Sequence, residues 1–203
     1  MQAAQYENLK KYLDSTARMR HDFIYMAKTV QALADKNETE QLRKLLGDYG
    51  ASIDANGTPL TFCEHIALNA ITAYYASEAM KSEIDFTAKL NVSQNMVISD
   101  YELCSVVGNI LDNAVAAARE VKDRPSNILF AAETKPNGDL YIAVSNSYDG
   151  TVIEKGGKFI STKAGGHGIG IESVRAIVLK NKGYCKFHYD DKAFYSEIML
   201  RQL

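Results

Sequence analysis

The 203-residue chain has only three cysteines, Cys63, Cys104 and Cys185, and they lie far apart. That is too few and too scattered for a disulfide framework or a cysteine zinc cluster, and it fits a reducing compartment. No stretch approaches the roughly 20 consecutive apolar residues of a membrane-spanning helix, and the N-terminus does not read as a signal peptide. Net charge is −2, from 23 Lys and Arg against 25 Asp and Glu, so bulk electrostatics gives no attraction to nucleic acid or to an anionic membrane. There is no internal repeat, no low-complexity tract and no G-x-x-x-x-G-K-[ST] phosphate loop. What is present, 46% hydrophobic and 24% charged residues, suffices for one ordinary domain plus a smaller helical piece.

Hydrophobic periodicity predicts one long amphipathic helix over residues 4–35. Leu9, Tyr12, Thr16, Phe23, Ala27, Val30 and Ala34 fall near one line at about 100° per residue, uninterrupted by Gly or Pro. A polar break at 35–39 leads to a second helix over 38–53 with Leu42, Leu45, Leu46 and Tyr49 on its apolar side. This is an αα-hairpin, which cannot cover its own stripe, so a homodimer forming a four-helix bundle is expected. The chain opens inside what reads as a helix. The expectation is therefore the cytoplasmic portion of a longer receptor, its membrane and sensing segment lying upstream. Residues 54–59, Asp-Ala-Asn-Gly-Thr-Pro, read as a linker between a hairpin domain at 1–56 and a second domain at 57–203.

The second domain reads as a helix at 62–81, with Ile66, Ile71 and Met80 among its apolar positions, then a strand at 84–90 and a helix at 100–121. Strands at 127–133 and 139–146 follow, joined through Lys135-Pro136-Asn137-Gly138. Residues 147–166 read as a long polar loop, 168–181 as a helix stopped by Lys182-Gly183, and 184–189 and 193–200 as a closing strand pair. The fold class is α+β: a helical hairpin followed by a two-layer α/β sandwich. His65 and His188 read as structural.

Three segments carry chemistry. Asn109-Ile-Leu-Asp112-Asn113 lies on a helix whose apolar face holds Leu103, Val106, Val107, Ile110, Leu111, Ala114 and Ala118. On that helix Asn113 stands about 40° from Asn109 and Asp112 about 60° to the other side. The two asparagine oxygens thus point together, as magnesium with its preference for hard oxygen ligands would require. Gly165-Gly166-His167-Gly168-Ile169-Gly170 offers unhindered backbone N–H groups at a helix start, where phosphate is favoured. Ser161-Thr162-Lys163 adds hydroxyls and a cation, and His167 reads as a loop contact rather than a base. His21 lies about 160° from Phe23 on its helix, opposite the apolar stripe, with Asp22 placed to orient its imidazole. Each segment alone is equally a solvated helix face, a flexible turn or an ordinary exposed histidine; their conjunction points to nucleotide, metal and phosphate acceptor.

Together, Arg20-His21-Asp22-Phe23, Asn109-Ile-Leu-Asp112-Asn113-Ala114 and Ser161-Thr162-Lys163 with His167-Gly168-Ile169-Gly170-Ile171 resemble the cytosolic half of sensor histidine kinases, over essentially the full chain. The second domain resembles the GHKL ATPase module shared with the heat-shock-90, gyrase and MutL ATPases. Among kinases the motifs most resemble the quorum-sensing, peptide-pheromone receptor kinases of the AgrC type. The resemblance implies a protein-histidine kinase using ATP and Mg2+. It makes His21 the acceptor of the γ-phosphoryl group with Asp22 as its acid/base, Asn113 the magnesium ligand, and Asn109 a neighbour of the phosphates. Gly166, Gly168 and Gly170 match the phosphate loop, residues 147–166 match the lid over the nucleotide, and Asp112, Asn146, Lys163 and His167 fall within the same site. The phosphoryl group would pass to an aspartate of a response regulator, often of the LytTR type, and the protein itself would not touch nucleic acid. Three positions depart from the commoner pattern. Asn146 stands where many relatives have an adenine-reading Asp, and Ser105 stands where many have an acid. Tyr25 stands where relatives commonly have Asn or Thr, so weak or absent phosphatase activity is expected. The competing readings are a relay phosphotransferase with an ATPase-like domain that no longer binds ATP, and a non-catalytic dimeric scaffold.

Overall fold

The computed structural model describes residues 27–49, 61–93, 96, 98–155, 158–160 and 169–201, with backbone alone at 46–49, 153–155, 158–160 and 169. The chain forms two compact units, Met1–Thr58 and Pro59–Leu203.

In the first unit, α1 is helical over its described residues 27–35, and α2 spans Thr39–Tyr49. The polar break between them is a helix stop built by asparagine. Asn37 takes a left-handed φ of 55°, its N–H reaches Ala34 O at 3.0 Å, and Glu38 N–H reaches Leu33 O at 2.9 Å. These two bonds satisfy carbonyls at the end of α1 that a bare terminus would leave open, and asparagine tolerates the conformation better than most residues. Leu42 N–H then bonds Glu38 O and opens α2. Val30, Leu33, Leu42 and Leu45 are half-buried, whereas Ala27 and Ala34 are exposed.

The second unit runs α3 (Ile66–Lys81), β1 (Asp85–Asn91), α4 (Asp100–Arg119), β2 (Asn127–Thr134), β3 (Leu140–Ser147), β4 (Ile153–Lys155), β5 (Lys158–Ile160), α5 (Ile169–Lys180), β6 (Tyr184–Tyr189) and β7 (Ala193–Leu200). Five strands form one sheet in the order β1-β2-β3-β7-β6, with β1–β2 parallel and the other pairs antiparallel. The parallel pair is joined through α4, the crossover such a pair needs. Registers align Ala132, Ile142 and Ile198 in one row and Phe130, Val144 and Ser196 in the next, all buried on the face covered by the helices. Leu129, Tyr141, Ala143 and Glu197 alternate onto the other face and are exposed. The result is the expected two-layer α/β sandwich.

Helix α4 is its keystone. Leu103, Val106, Val107, Ile110, Leu111, Ala114, Val115 and Ala118 are buried along it. Its start is a capping box: Ser99 Oγ accepts Glu102 N–H at 3.3 Å and donates to Glu102 Oε2 at 3.2 Å. Lys180 Nζ, in the last turn of α5, donates to Glu102 Oε1 at 2.7 Å and ties the two helices.

The structure corrects the sequence reading in four places. Ile66 and Met80 are 86% and 69% exposed, and α3 instead buries Leu68, Thr72, Ala76 and Ala79. A largely small-residue face lets α3 approach α4 closely: a Cβ on Gly108 would stand 3.2 Å from Ile71 Cδ1. Helix α3 also starts later than 62. Asn69 Oδ1 accepts the N–H groups of Phe62 and Cys63 at 2.7 and 3.3 Å, and buried His65 caps the helix by accepting Leu68 N–H at Nδ1. Within the supposed long loop, β4 and β5 pair antiparallel with Ile153 opposite Ile160. Gly156-Gly157 between alternating residues is the sequence mark of such a hairpin.

The fourth concerns the stop after α5. Lys182, not Gly183, adopts the left-handed φ, at 48°. Gly183 is required for another reason: a Cβ there would lie 2.1 Å from Met199 O, with no flexible atom to yield. Gly183→Ala should therefore cost about 1–3 kcal/mol by forcing β6 and β7 apart. Lys182→Gly should stabilise by up to about 1 kcal/mol by removing left-handed strain. Urea unfolding of the two variants checks both signs.

The Lys180 hydrogen bond, foremost, holds the Glu102 carboxyl below the usual carboxylate range. A depressed folded-state pKa means that the pair's stabilisation is complete above the ordinary glutamate pKa and is lost as pH falls through the lower, folded value. Lys180→Met should remove at most about 1 kcal/mol at neutral pH and flatten the acid limb of stability. Urea unfolding between neutral pH and the acid transition measures this.

Candidate functional site: a carboxamide pair facing the start of α5

Burial of the apolar side of α4 leaves Asn109 and Asn113, one turn apart, on the edge that meets α5. A Cβ built on Gly170 would lie 3.0 Å from Asn109 Oδ1 and 3.6 Å from Asn113 Nδ2. Two motifs far apart in sequence thus meet, and the space between them exists because residue 170 has no side chain. Gly170 lies in the first turn of α5, where backbone N–H groups lack intrahelical partners.

Asn109 is half-buried, and its Nδ2 donates to Ser105 O at 2.7 Å. That bond commits the nitrogen to its own helix and leaves the oxygen toward Gly170. Asn113 is exposed, so a ligand that enters from solvent can reach its amide. Asp112 is exposed as well, and stands near enough to Tyr75 of α3 that it adds to burial, the larger cause, in raising the Tyr75 hydroxyl pKa.

Asn146, at the end of β3 on the helix-covered face, is 4% exposed. Its Nδ2 donates to Ser147 O at 2.8 Å. Ser147 Oγ accepts Asn127 N–H and donates to Asn127 Oδ1, both at 3.1 Å. Sequence reasoning missed Asn127 and Ser147; the available signal was a pair of short polar residues at the ends of two otherwise apolar strands. His21, Asp22, Tyr25, Lys163, Gly166, His167 and Gly168 lie outside the described residues.

Among the described residues no group of three or more His, Cys, Asp or Glu side chains is placed to hold a metal ion. The three cysteines are unpaired, and burial is the main cause raising each thiol's pKa, so they stay protonated and unreactive near neutrality. A cavity of about 850 Å³ on the opposite sheet face, bordered by Ala131, Tyr141, Ala143 and Met199, lies away from these asparagines. No helix among the described residues is long and apolar enough to cross a membrane.

Gly170→Ala should push the Asn109 carboxamide aside by a few tenths of an ångström and cost up to about 1 kcal/mol of stability. Asn109→Ala in the same chain should relieve part of that cost. A double-mutant cycle by urea unfolding should give a coupling of at least about 0.5 kcal/mol, and strict additivity would mean that the two residues do not touch.

Three solved structures share the fold at low identity. The mycobacterial sensor histidine kinase MprB aligns with a TM-score of 0.50 at 18% identity, over 67% of this chain and 97% of that one. Full-length ShkA in complex with AMPPNP aligns at 0.54 and 14%, over 82% and 37%. The histidine kinase AdeS of Acinetobacter baumannii aligns at 0.50 and 12%, over 86% and 80%. No curated protein matches the chain. The profile of the GHKL domain matches residues 96–201, a span that holds α4, the glycine segment and four of the five strands of the main sheet. This chain belongs to the GHKL domain family.

Proposed function

We propose that the protein is an ATP-dependent, autophosphorylating protein-histidine kinase of a two-component system, of the AgrC type. In this reading it is the cytoplasmic portion of a cell-membrane receptor. The observation that carries it is the approach of Gly170 to both Asn109 and Asn113. The Asn109 carboxamide oxygen, the Asn113 amide and the first-turn backbone N–H groups of α5 then face one space from two helices, a set of groups that suits a metal-bound triphosphate. The likeness in fold to histidine kinases, one of them solved with AMPPNP, points the same way.

The residues fit magnesium in kind: Asn113 and, behind it, Asn109 supply hard neutral oxygens, and a Cβ at residue 170 would fill the cradle. Magnesium bound there would neutralise charge on the β- and γ-phosphates. Gly166, Gly168 and Gly170 would hold phosphate oxygens through backbone N–H groups, with Lys163 and His167 closing over them. Asn146, buried at the end of β3, would meet the adenine. In the hairpin unit, one ring nitrogen of His21 would attack the γ-phosphorus with its lone pair. The bond to the bridging oxygen breaks, ADP leaves with that electron pair, and Asp22 receives the proton from the other ring nitrogen. Two chains would pair through their hairpins into a four-helix bundle. The phosphoryl group would then pass to an aspartate of a response regulator, of the LytTR type in the closest analogy.

Incubation with γ-labelled ATP and magnesium tests this. The parent chain should become labelled, His21→Ala should take no label, and Asn113→Ala should label on the order of 100-fold more slowly. A parent that binds Mg-ATP without labelling would instead be a non-catalytic scaffold. A parent that binds no nucleotide, yet accepts phosphoryl from a phosphorylated regulator, would be a relay protein.

A further inference from the structure

Ser147 and Tyr148, the two residues after Asn146, are each held from outside their strand. The β3 ladder ends with Ser147 opposite Ala193, so Tyr148 is the first residue past the sheet's own support. Instead of fraying there, the chain is clamped. Tyr148 is 5% exposed, its hydroxyl donates to Asp190 O at 2.5 Å, and its ring meets Tyr189 edge-on at 6.3 Å. Arg124, from the connection between α4 and β2, donates to Tyr148 O at 3.1 Å and to Lys192 O at 3.2 Å. The receiving turn is itself stiff. Asp190 accepts the N–H groups of Lys192 and Ala193 and, at 3.0 Å, the Tyr195 hydroxyl, and these bonds hold its carboxyl below the usual range.

The clamp bears on Asn146 through one peptide plane. The Ser147 carbonyl, which accepts the Asn146 amide at 2.8 Å, is coplanar with Tyr148 N and Cα. Fixing Tyr148 therefore fixes the acceptor that turns the Asn146 carboxamide. With a nitrogen hydrogen spent on that acceptor, the Asn146 oxygen is the atom best placed to accept from a ligand. An acceptor there suits a base carrying an exocyclic amino group and opposes one carrying an oxo group at the same place.

We infer that Tyr148 and Arg124 are positioning residues for the nucleobase, acting through the Ser147 carbonyl to aim Asn146 and so to set preference for adenine over guanine. This rests on the nucleotide-binding reading above. Neither side chain needs to touch the nucleotide, and neither belongs to the phosphate end of the site.

The test compares binding of ATP, GTP and inorganic tripolyphosphate, each with magnesium, to the full chain by calorimetry. Tyr148→Phe deletes one hydrogen bond and keeps the ring. It should weaken ATP about tenfold, shrink the ATP-to-GTP preference and leave tripolyphosphate unchanged. Arg124→Gln, at an exposed side chain, should act in the same direction and serves if the phenylalanine variant does not fold. Variants with the parent's ATP affinity and base preference would overturn the inference, as would equal weakening of all three ligands, which marks a general loss of structure. A parent chain that binds neither ATP nor tripolyphosphate refutes the nucleotide reading itself, a distinct result.

Discussion

Helix α4 cannot roll about its axis, and the site depends on that constraint. Eight of its side chains are buried, and each Val, Leu or Ile among them contributes about 1.5–3 kcal/mol through burial. A roll of one residue, about 100°, would carry most of them into water. The same packing that builds the core therefore fixes the direction of Asn109 and Asn113. Helix α5 is set against this reference at two points. Lys180 near its end grips Glu102 near the start of α4, while Gly170 at its start meets Asn109 and Asn113 further along. The helices thus run antiparallel with their register pinned at both ends, and the carboxamides face the first turn of α5 without any flexible loop having to place them.

Much of this was legible in the sequence, because α4, β2, β3 and β7 alternate or repeat cleanly. Their periods are set by which face meets the core, so burial follows pattern. Helix α3 broke the rule. Its large apolar residues Ile66 and Met80 point outward, and beside Leu68 its buried face is built from Thr72, Ala76 and Ala79, which a hydrophobicity count ranks lower. Close helix approach rewards small volume, a property that periodicity does not weigh. The β4–β5 hairpin was written in Ile153-Glu-Lys155, Gly156-Gly157 and Lys158-Phe-Ile160, but at three residues a strand the signal sank into a polar, glycine-bearing stretch.

Gly183 marks a different limit. A glycine after a helix reads as a left-handed stop, yet Lys182 carries that strain and Gly183 makes room for the Met199 carbonyl. Only the packing of β6 on β7 distinguishes the two explanations. At the site, the facing pair was legible from the i, i+4 spacing of Asn109 and Asn113 and the glycines downstream. The directions of the Asn109 and Asn146 amides were not, because they are set by the carbonyls of Ser105 and Ser147, whose side chains give no hint that their backbone will be used this way.

The use of carboxamides has an electrostatic consequence. An oxygen of asparagine offers a cation a hard ligand without a formal charge, so Asn109 and Asn113 themselves add no negative potential. Carboxylates at 109 and 113 would bind a bare cation better, but they would repel the phosphates that have to share the space. With neutral donors on α4 and backbone N–H groups at the start of α5, the cation and phosphate of the proposed function would each supply the charge that the other lacks. Under the proposed function such a site would take up its cation and its polyphosphate together, and neutral asparagines on a helix that cannot turn would favour that coupling.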